Sequence, residues 1–96
     1  MTKGYIVCVY ENINDNMALK NYASEAKKAV EKYNGKFLIR GGNNIVTEGK
    51  SYIRTAVIEF ASFEKAKEFF YSSDYQSAHR ILRDTVIRNH QIIEGS

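Results

Sequence analysis

Two strand–helix units of similar length follow one another in this chain, and their order constrains the fold more than any other feature. The apolar runs at residues 4–10, 36–41, 52–60 and 86–94 are rich in β-branched and aromatic side chains, which is typical of strands. Between the first two runs, apolar residues recur at the three- and four-residue spacing of a helix, namely Leu19, Tyr22, Ala23, Ala26, Val30 and Tyr33. Residues 43–50 predict a hairpin-like excursion that turns at Gly49.

Polar residues mark where the helices begin. Asn14, Asp15 and Asn16 are each suitable as the cap of the first helix. Ser62 predicts the start of a second helix, and residues 72–74 interrupt it and start a third. Ser73 and Gln76 have the spacing of a capping box, although Ser72 could cap this helix instead.

The predicted order is strand, helix, strand, strand, helix pair, strand. Right-handed crossovers make the two strands of each unit parallel, and they leave a gap that a strand of the other unit can fill. The sequence therefore predicts a ferredoxin-like α+β sandwich, with a four-stranded antiparallel sheet, helices on one face and a split second helix. Its 96 residues form one domain, from residue 1 to residue 96.

Each predicted strand has apolar residues facing both ways. In the first strand, Tyr5, Val7 and Val9 alternate with the equally apolar Ile6, Cys8 and Tyr10. A sheet with one face in water would alternate apolar and polar residues more regularly. We therefore expect the second face to be covered by another copy of the same sheet in a homodimer.

Composition excludes several classes of protein. The net charge of +3 comes from basic residues spread along the chain, so we expect no nucleic-acid partner. The single Cys8 lies in an apolar run, which indicates a buried thiol, and we expect no metal site. The N-terminus reads as a strand, no run is long enough to cross a membrane, and no cofactor motif is present, so we expect a cytoplasmic protein without a cofactor.

RNA-recognition motifs share this strand order, and they stack bases on aromatic residues of their first and third strands. Aligning Glu59 and Phe60 with the end of their signature places Thr55 and Val57 where those aromatic residues belong. Each stacked base that is lost would reduce the free energy of RNA binding by about 1–3 kcal/mol. RNA binding is therefore not predicted.

The segment Arg40-Gly41-Gly42 ends the second strand. It is not a phosphate-binding loop, because it lacks the Gly-Lys-Ser/Thr ending and no helix begins after it. Adjacent glycines after a strand usually form a bulge or turn. Glu59 lies between Ile58 and Phe60, where burial of its carboxylate would require a cation or donors.

The third predicted helix carries Tyr75 and His79 on its inner face, with Arg83 one turn beyond, and Tyr22 comes from the first helix. Histidine suits proton transfer near neutral pH, and arginine suits the binding of a carboxylate. A histidine on an amphipathic face more often has a packing role, and that alternative stays open for His79 and for His90.

Taken together, the segments KFLIRGG, AVIEFASFEKAKEFFYSSDYQSA, LRD and IEG resemble the bacterial family called domain of unknown function 1330, from Gly4 to Gly95. The resemblance implies a dimeric α+β barrel, a superfamily that includes cofactor-independent monooxygenases and isomerases. The positions that match its recurring pattern are Arg40, Gly41, Gly42, Glu59, Phe60, Ser72, Tyr75 and Arg83. Ala61 and Ser73 stand where the family usually has proline, and His79 is not part of the pattern.

These observations predict a homodimer with one small-molecule pocket per subunit between sheet and helices. In this hypothesis Arg40 and Arg83 hold an anionic or carbonyl-bearing ligand, Gly41 and Gly42 provide the bend beside it, and Tyr22 and Tyr75 orient the ligand. Glu59 or His79 would move a proton in a cofactor-independent enzyme of isomerase or monooxygenase type. The alternative is a dimer that binds a ligand or is purely structural, without catalysis.

Overall fold

The structure is a computed structural model that describes residues 2–96. Seven elements follow one another along the chain: β1 (Gly4–Ile13), α1 (Asn16–Lys32), β2 (Lys36–Arg40), β3 (Arg54–Phe60), α2 (Phe63–Tyr71), α3 (Ser73–Leu82) and β4 (Val86–Glu94). Every strand and helix predicted from the apolar spacing is present, and the split of the second helix is confirmed.

The four strands form one antiparallel sheet in the order β2-β3-β1-β4. β1 lies in the centre, where Tyr10 pairs with Arg54 of β3 and with Arg88 of β4. A bulge in β1 between Tyr10 and Asn12 shifts the register with β4 beyond this point. The predicted ferredoxin-like α+β topology is confirmed.

Side-chain caps fix where the helices begin. An Asp15 carboxylate oxygen accepts from the backbone N–H of Ala18, which decides among the three cap candidates of α1. Ser62 caps α2 in the same way. For α3 the cap is Ser72, whose hydroxyl oxygen accepts from the N–H of Tyr75, so of the two predicted alternatives Ser72 is confirmed and the capping box at Ser73 is wrong.

The core lies between the helices and one face of the sheet. Alternate residues of β1 face the helices and are buried, among them Ile6, Cys8 and Tyr10. An aromatic cluster continues this core, in which Phe69 packs 5.0 Å from Phe60 and 4.8 Å from Tyr75 between ring centroids. Such aromatic pairs add to the stabilisation that burial of their area provides.

The opposite face of the sheet is apolar and only half-buried. Tyr5, Val7 and Val9 alternate with the buried residues of β1 and are partly exposed. Ile93 and Ile39, on the two edge strands, keep 39% and 46% of their surface exposed. This face, which we call the open face, is where a covering partner was predicted.

Between β2 and β3 the chain forms an irregular connection. Of the hairpin-like excursion predicted at residues 43–50, the turn conformation at Gly49 is present, but no paired strands form there. Gly41, Gly42 and Gly49 have φ of 76°, 91° and 85°, a conformation that favours glycine. The connection rejoins the sheet where the backbone N–H of Ile53 donates to the carbonyl of Tyr10.

Candidate functional site

A cavity lies between the helix-facing side of the sheet and the inner faces of the helices. About 40 Å³ of it is open to the centres of water molecules, and each water needs about 10–15 Å³ by this measure, so the cavity has room for about three. Apolar side chains such as Leu19, Phe37 and Ile58 form much of its wall. The polar lining residues come from every strand and from two helices: Cys8, Tyr10, Tyr22, Arg40, Arg54, Tyr75, Arg88 and His90.

Arg88 is the central polar residue of this cavity. Its Nη1 donates to the Tyr10 hydroxyl at 3.1 Å and lies 3.4 Å from both the Tyr22 hydroxyl and the Cys8 sulfur. Its Nη2 donates to the Tyr75 hydroxyl at 3.1 Å. The guanidinium carbon also lies 5.5 and 5.3 Å from the ring centroids of Tyr10 and Tyr22, within the range of a cation–π contact.

The phenols continue into a short hydrogen-bonded chain. The hydroxyls of Tyr22 and Tyr75 are 2.8 Å apart, and the Tyr75 hydroxyl lies 3.5 Å from His90 Nε2. Because Arg88 donates to both phenol oxygens, each phenol can use its own hydrogen elsewhere. The consistent arrangement has Tyr22 donating to Tyr75 and Tyr75 donating to a neutral His90.

Burial and the charge of Arg88 set the protonation of these groups. Burial raises the pKa of the Tyr10 and Tyr75 phenols above their usual range, so both are neutral at pH 7. Burial and the nearby Arg88 lower the pKa of His90 to about 3, so its imidazole is neutral as well. Arginine keeps its proton in proteins, so Arg88 brings a full positive charge into a neutral surrounding.

Two further arginines line the same cavity. Arg54 lies 6.0 Å above the Tyr10 ring, and its Nε is buried without a hydrogen-bond partner among residues 2–96. Arg40 donates to the carbonyl of Ala23 at 3.2 Å and stacks on Phe37. Every ion pair in the described part of the chain is made by a lysine, and the cavity lining contains no Asp or Glu. The three guanidinium charges are therefore not compensated by carboxylates of residues 2–96.

The structure brings together three of the residues selected from the sequence, since Tyr22, Arg40 and Tyr75 all line this cavity. Gly41 and Gly42 form the bend directly after Arg40, both with positive φ. A Cβ at Gly41 would overlap Arg54 Nη1, whereas a Cβ at Gly42 would meet open space. Gly41 therefore makes room for a cavity arginine as well as turning the chain.

The other three selected residues lie elsewhere. Glu59 is on the open face, where Tyr5 donates to its carboxylate at 3.3 Å and Lys3 pairs with it at 3.5 Å. His79 and Arg83 are exposed and line a neighbouring groove beside α3 and β4. Arg88 and His90 separate this groove from the cavity, because they line both.

Arg88, Arg54 and Tyr10 are polar cavity residues that the sequence did not indicate as site residues, and for His90 it left a packing role open. The pairing of Arg54, Tyr10 and Arg88 in one row across three strands places them on one face. The row exists only in the observed register of the three strands, and the bulge after Tyr10 shifts the register between β1 and β4. If Tyr10 is known to face the helices, alternation along β4 indicates that Arg88 also faces the cavity, because Arg88, His90 and Ile92 share one face of the sheet.

The described residues contain neither a membrane-spanning helix nor a metal-binding cluster. Among residues 2–96, no helix has the length and apolar character needed to cross a membrane. The described residues also contain no group of three or more His, Cys, Asp or Glu that could hold a metal ion.

Comparison with known proteins supports the family and the fold. The family model described as "Domain of unknown function (DUF1330)" matches residues 3–96. Among curated proteins, none matches this sequence. Several solved structures are similar at low sequence identity, which shows a common fold alone.

One of these is the RPA0582 protein of unknown function from Rhodopseudomonas palustris, with a TM-score of 0.76 and 12% identity over 99% of this chain and 83% of that one. A dimeric ferredoxin-like protein of unknown function from Bacteroides fragilis has a TM-score of 0.65 and 14% identity, over 96% and 95% of the two chains. A candidate antibiotic biosynthesis monooxygenase from Caulobacter crescentus has a TM-score of 0.64 and 11% identity, over 99% and 90%.

Proposed function

This chain belongs to the DUF1330 family of domains of unknown function, and we propose that it binds a small organic anion in the cavity between its sheet and helices. Arg88 is the anchor of the anion, with the phenols of Tyr10, Tyr22 and Tyr75 around it. Arg40 at the end of β2 adds positive charge at the cavity wall. The proposal keeps the ligand class expected from the sequence and replaces Arg83 by Arg88 as the second arginine.

The observation that carries this proposal is the surrounding of Arg88. A charge taken out of water is generally paired with an opposite charge, because its desolvation is otherwise costly. The phenol oxygens of Tyr10 and Tyr75 hold the guanidinium in place, but at neutral pH they bring no formal negative charge. A carboxylate, enolate or phenolate of a ligand would complete the site with charge-assisted hydrogen bonds.

A thermal-shift screen of small carboxylates tests this proposal. Acetate, butyrate, benzoate and 2-oxobutyrate would be compared with the neutral butyramide at equal ionic strength, adjusted with sodium chloride. Binding to the folded state alone raises stability by RT ln(1 + [ligand]/Kd), which is about 1.4 kcal/mol at ten times Kd. We expect some of the acids, and not the amide, to raise the melting temperature.

Variants assign the binding to the cavity. Arg88→Gln should abolish every shift, Arg40→Ala should weaken the shifts, and Arg80→Gln, on the exposed surface of α3, should leave them unchanged. Shifts of the same size in Arg88→Gln would show that the acids bind elsewhere. No shift with any acid in the wild-type protein would contradict the proposal.

We also propose that the functional unit is a homodimer joined through the open face. The half-exposed Val7, Val9 and Ile93 on this face support it, and a similar structure from Bacteroides fragilis is described as dimeric. Light scattering at micromolar concentration should give the mass of two chains. Val7→Glu should give the mass of one, whereas Tyr71→Glu, at an exposed apolar site on α2, should not.

A second candidate function is a cofactor-independent enzyme of isomerase or monooxygenase type. The specific observation in its favour is the Tyr22–Tyr75–His90 chain, which could accept or deliver a proton beside an anion held by Arg88. Glu59 and His79, named as proton carriers from the sequence, stay predictions, and both lie outside this cavity.

Deuterium exchange separates the two functions. In D₂O, an enzyme that forms an enolate would exchange the C3 hydrogens of 2-oxobutyrate, and NMR would record their loss. His90→Gln and Tyr75→Phe should slow the exchange if the cavity chain moves the proton. Exchange no faster than in buffer, for an acid that binds, favours the non-catalytic binding protein.

A further inference from the structure

Arg54 lines the same cavity as Arg88 and contains a polar group that no other described residue satisfies. Its Nε is buried and has no hydrogen-bond partner among residues 2–96. Native structures rarely leave a buried donor in this state, and an absent partner is one recognised reason for it. Arg54 is part of the cavity lining, so a rotation of its side chain would turn this donor toward an atom of a bound ligand.

Arg54 and Arg88 face each other across Tyr10. Both are paired with Tyr10 in the sheet, one from each neighbouring strand, so the three side chains leave the same face in one row. With strands about 4.8 Å apart, the α-carbons of the two arginines are about 10 Å apart. Their guanidinium carbons nevertheless both lie within 6.0 Å of the Tyr10 ring centroid.

The bend after Arg40 contributes to this arrangement. Gly41 has a φ of 76°, and a side chain at this position would overlap Arg54 Nη1. Gly42 has nothing near its missing side chain. The first glycine of the pair therefore accommodates the guanidinium of Arg54 beside the cavity.

We propose that the ligand of this cavity is a short dicarboxylate of three or four carbons, with one carboxylate on Arg88 and the other on Arg54. The inference rests on the proposed function and narrows its ligand class. A monoanion would leave Arg54 Nε unsatisfied and most of the positive charge of the lining uncompensated. Because only about 40 Å³ of the cavity is open to the centres of water molecules, a dicarboxylate has to be short, and even a short one has to displace lining side chains as it enters.

Calorimetric titration of the full chain tests this inference with succinate, butyrate and inorganic phosphate at equal ionic strength. Succinate and butyrate have the same carbon chain length, and phosphate carries its charge on a single centre. We expect succinate to bind about tenfold or more tighter than butyrate, which corresponds to one additional charge-assisted contact. Phosphate should bind more weakly than succinate.

Substitutions distinguish the two arginines. Arg54→Gln should weaken succinate binding about tenfold or more and butyrate binding much less, so that the preference for succinate is lost, whereas Arg88→Gln should remove the binding of both. Arg54→Lys retains the charge but not the Nε donor, so it should recover only part of the preference for succinate. Arg80→Gln should match the wild type, and circular dichroism would confirm that each variant folds.

The results distinguish the dicarboxylate inference from the proposed anion site on which it rests. Equal binding of succinate and butyrate, both lost in Arg88→Gln, overturns the dicarboxylate and leaves the anion site intact. Phosphate binding as tight as succinate binding overturns the second carboxylate. The same conclusion follows if Arg54→Gln keeps the preference for succinate. If none of the three anions binds the wild-type protein, the inference and the proposed anion site both fail.

Discussion

Acidification from pH 6.5 to pH 4.5 should destabilise the protein through His90, the histidine of the cavity. Burial and the charge of Arg88, with a smaller contribution from His79, lower the pKa of His90 to about 3. A histidine in the unfolded chain has a pKa of about 6.5. Between these two values the unfolded chain binds a proton that the folded chain does not, so stability falls as the pH falls.

The size of the effect follows from the same two values. One pKa unit corresponds to about 1.4 kcal/mol, so the full shift would cost about 5 kcal/mol at a pH below 3. At pH 4.5 the unfolded histidine is almost completely protonated and the folded one almost completely neutral. We therefore expect His90 to remove about 2 kcal/mol of the free energy of unfolding between pH 6.5 and pH 4.5.

Urea unfolding of the wild type and of His90→Gln at both pH values measures this difference. The wild type should lose about 2 kcal/mol more than His90→Gln, because glutamine does not titrate. His79→Gln is the matched control, since His79 is exposed and its removal should leave most of the pH dependence. Equal losses in the wild type and His90→Gln, or an NMR titration of His90 near pH 6.5, would refute the reasoning.

Further substitutions test the packing and the local conformation around the cavity. Phe69→Ala, in the centre of the aromatic core, should lower the free energy of unfolding by about 3–5 kcal/mol in urea, whereas Tyr71→Ala on the surface should change it by about 0.5 kcal/mol or less. Ser72→Ala removes the cap of α3 and should cost about 1 kcal/mol; an unchanged midpoint would argue against the cap. Gly41→Ala and Gly42→Ala should each cost about 1–2 kcal/mol, because both positions have positive φ. Only Gly41→Ala should also weaken binding of an anion, and equal binding by both variants would contradict the link between Gly41 and Arg54.

The sequence predicted the fold well because local signals agreed with each other. The spacing of apolar residues in α1 and the β-branched runs of the strands depend only on neighbouring residues, and right-handed crossovers then leave few topologies. The hairpin-like excursion expected at residues 43–50 forms no paired strands, for a physical reason. β-branched residues such as Ile45 and Val46 favour a strand, but no neighbouring strand pairs with them, and Ile45 is 89% exposed.

The cavity was only partly predictable. Tyr22 and Tyr75 were found because helical spacing determines which residues face the sheet. Arg88 was missed because β4 has isoleucines of both parities, Ile87 and Ile93 on one side and Ile92 on the other, so the alternation did not reveal which face is inside. Glu59 was expected in the site, but its parity in β3 places it on the open face.

The cavity around Arg88 is proposed to bind an organic anion, and every ligand prediction above depends on this claim. A crystal structure of the protein soaked with succinate tests this claim directly. We expect a carboxylate of the ligand about 2.7–2.9 Å from a nitrogen of Arg88, the usual distance of a charge-assisted pair. Arg54 Nε should donate to the second carboxylate. Succinate bound only on the outer surface, with the Arg88 cavity holding water alone, would contradict the account.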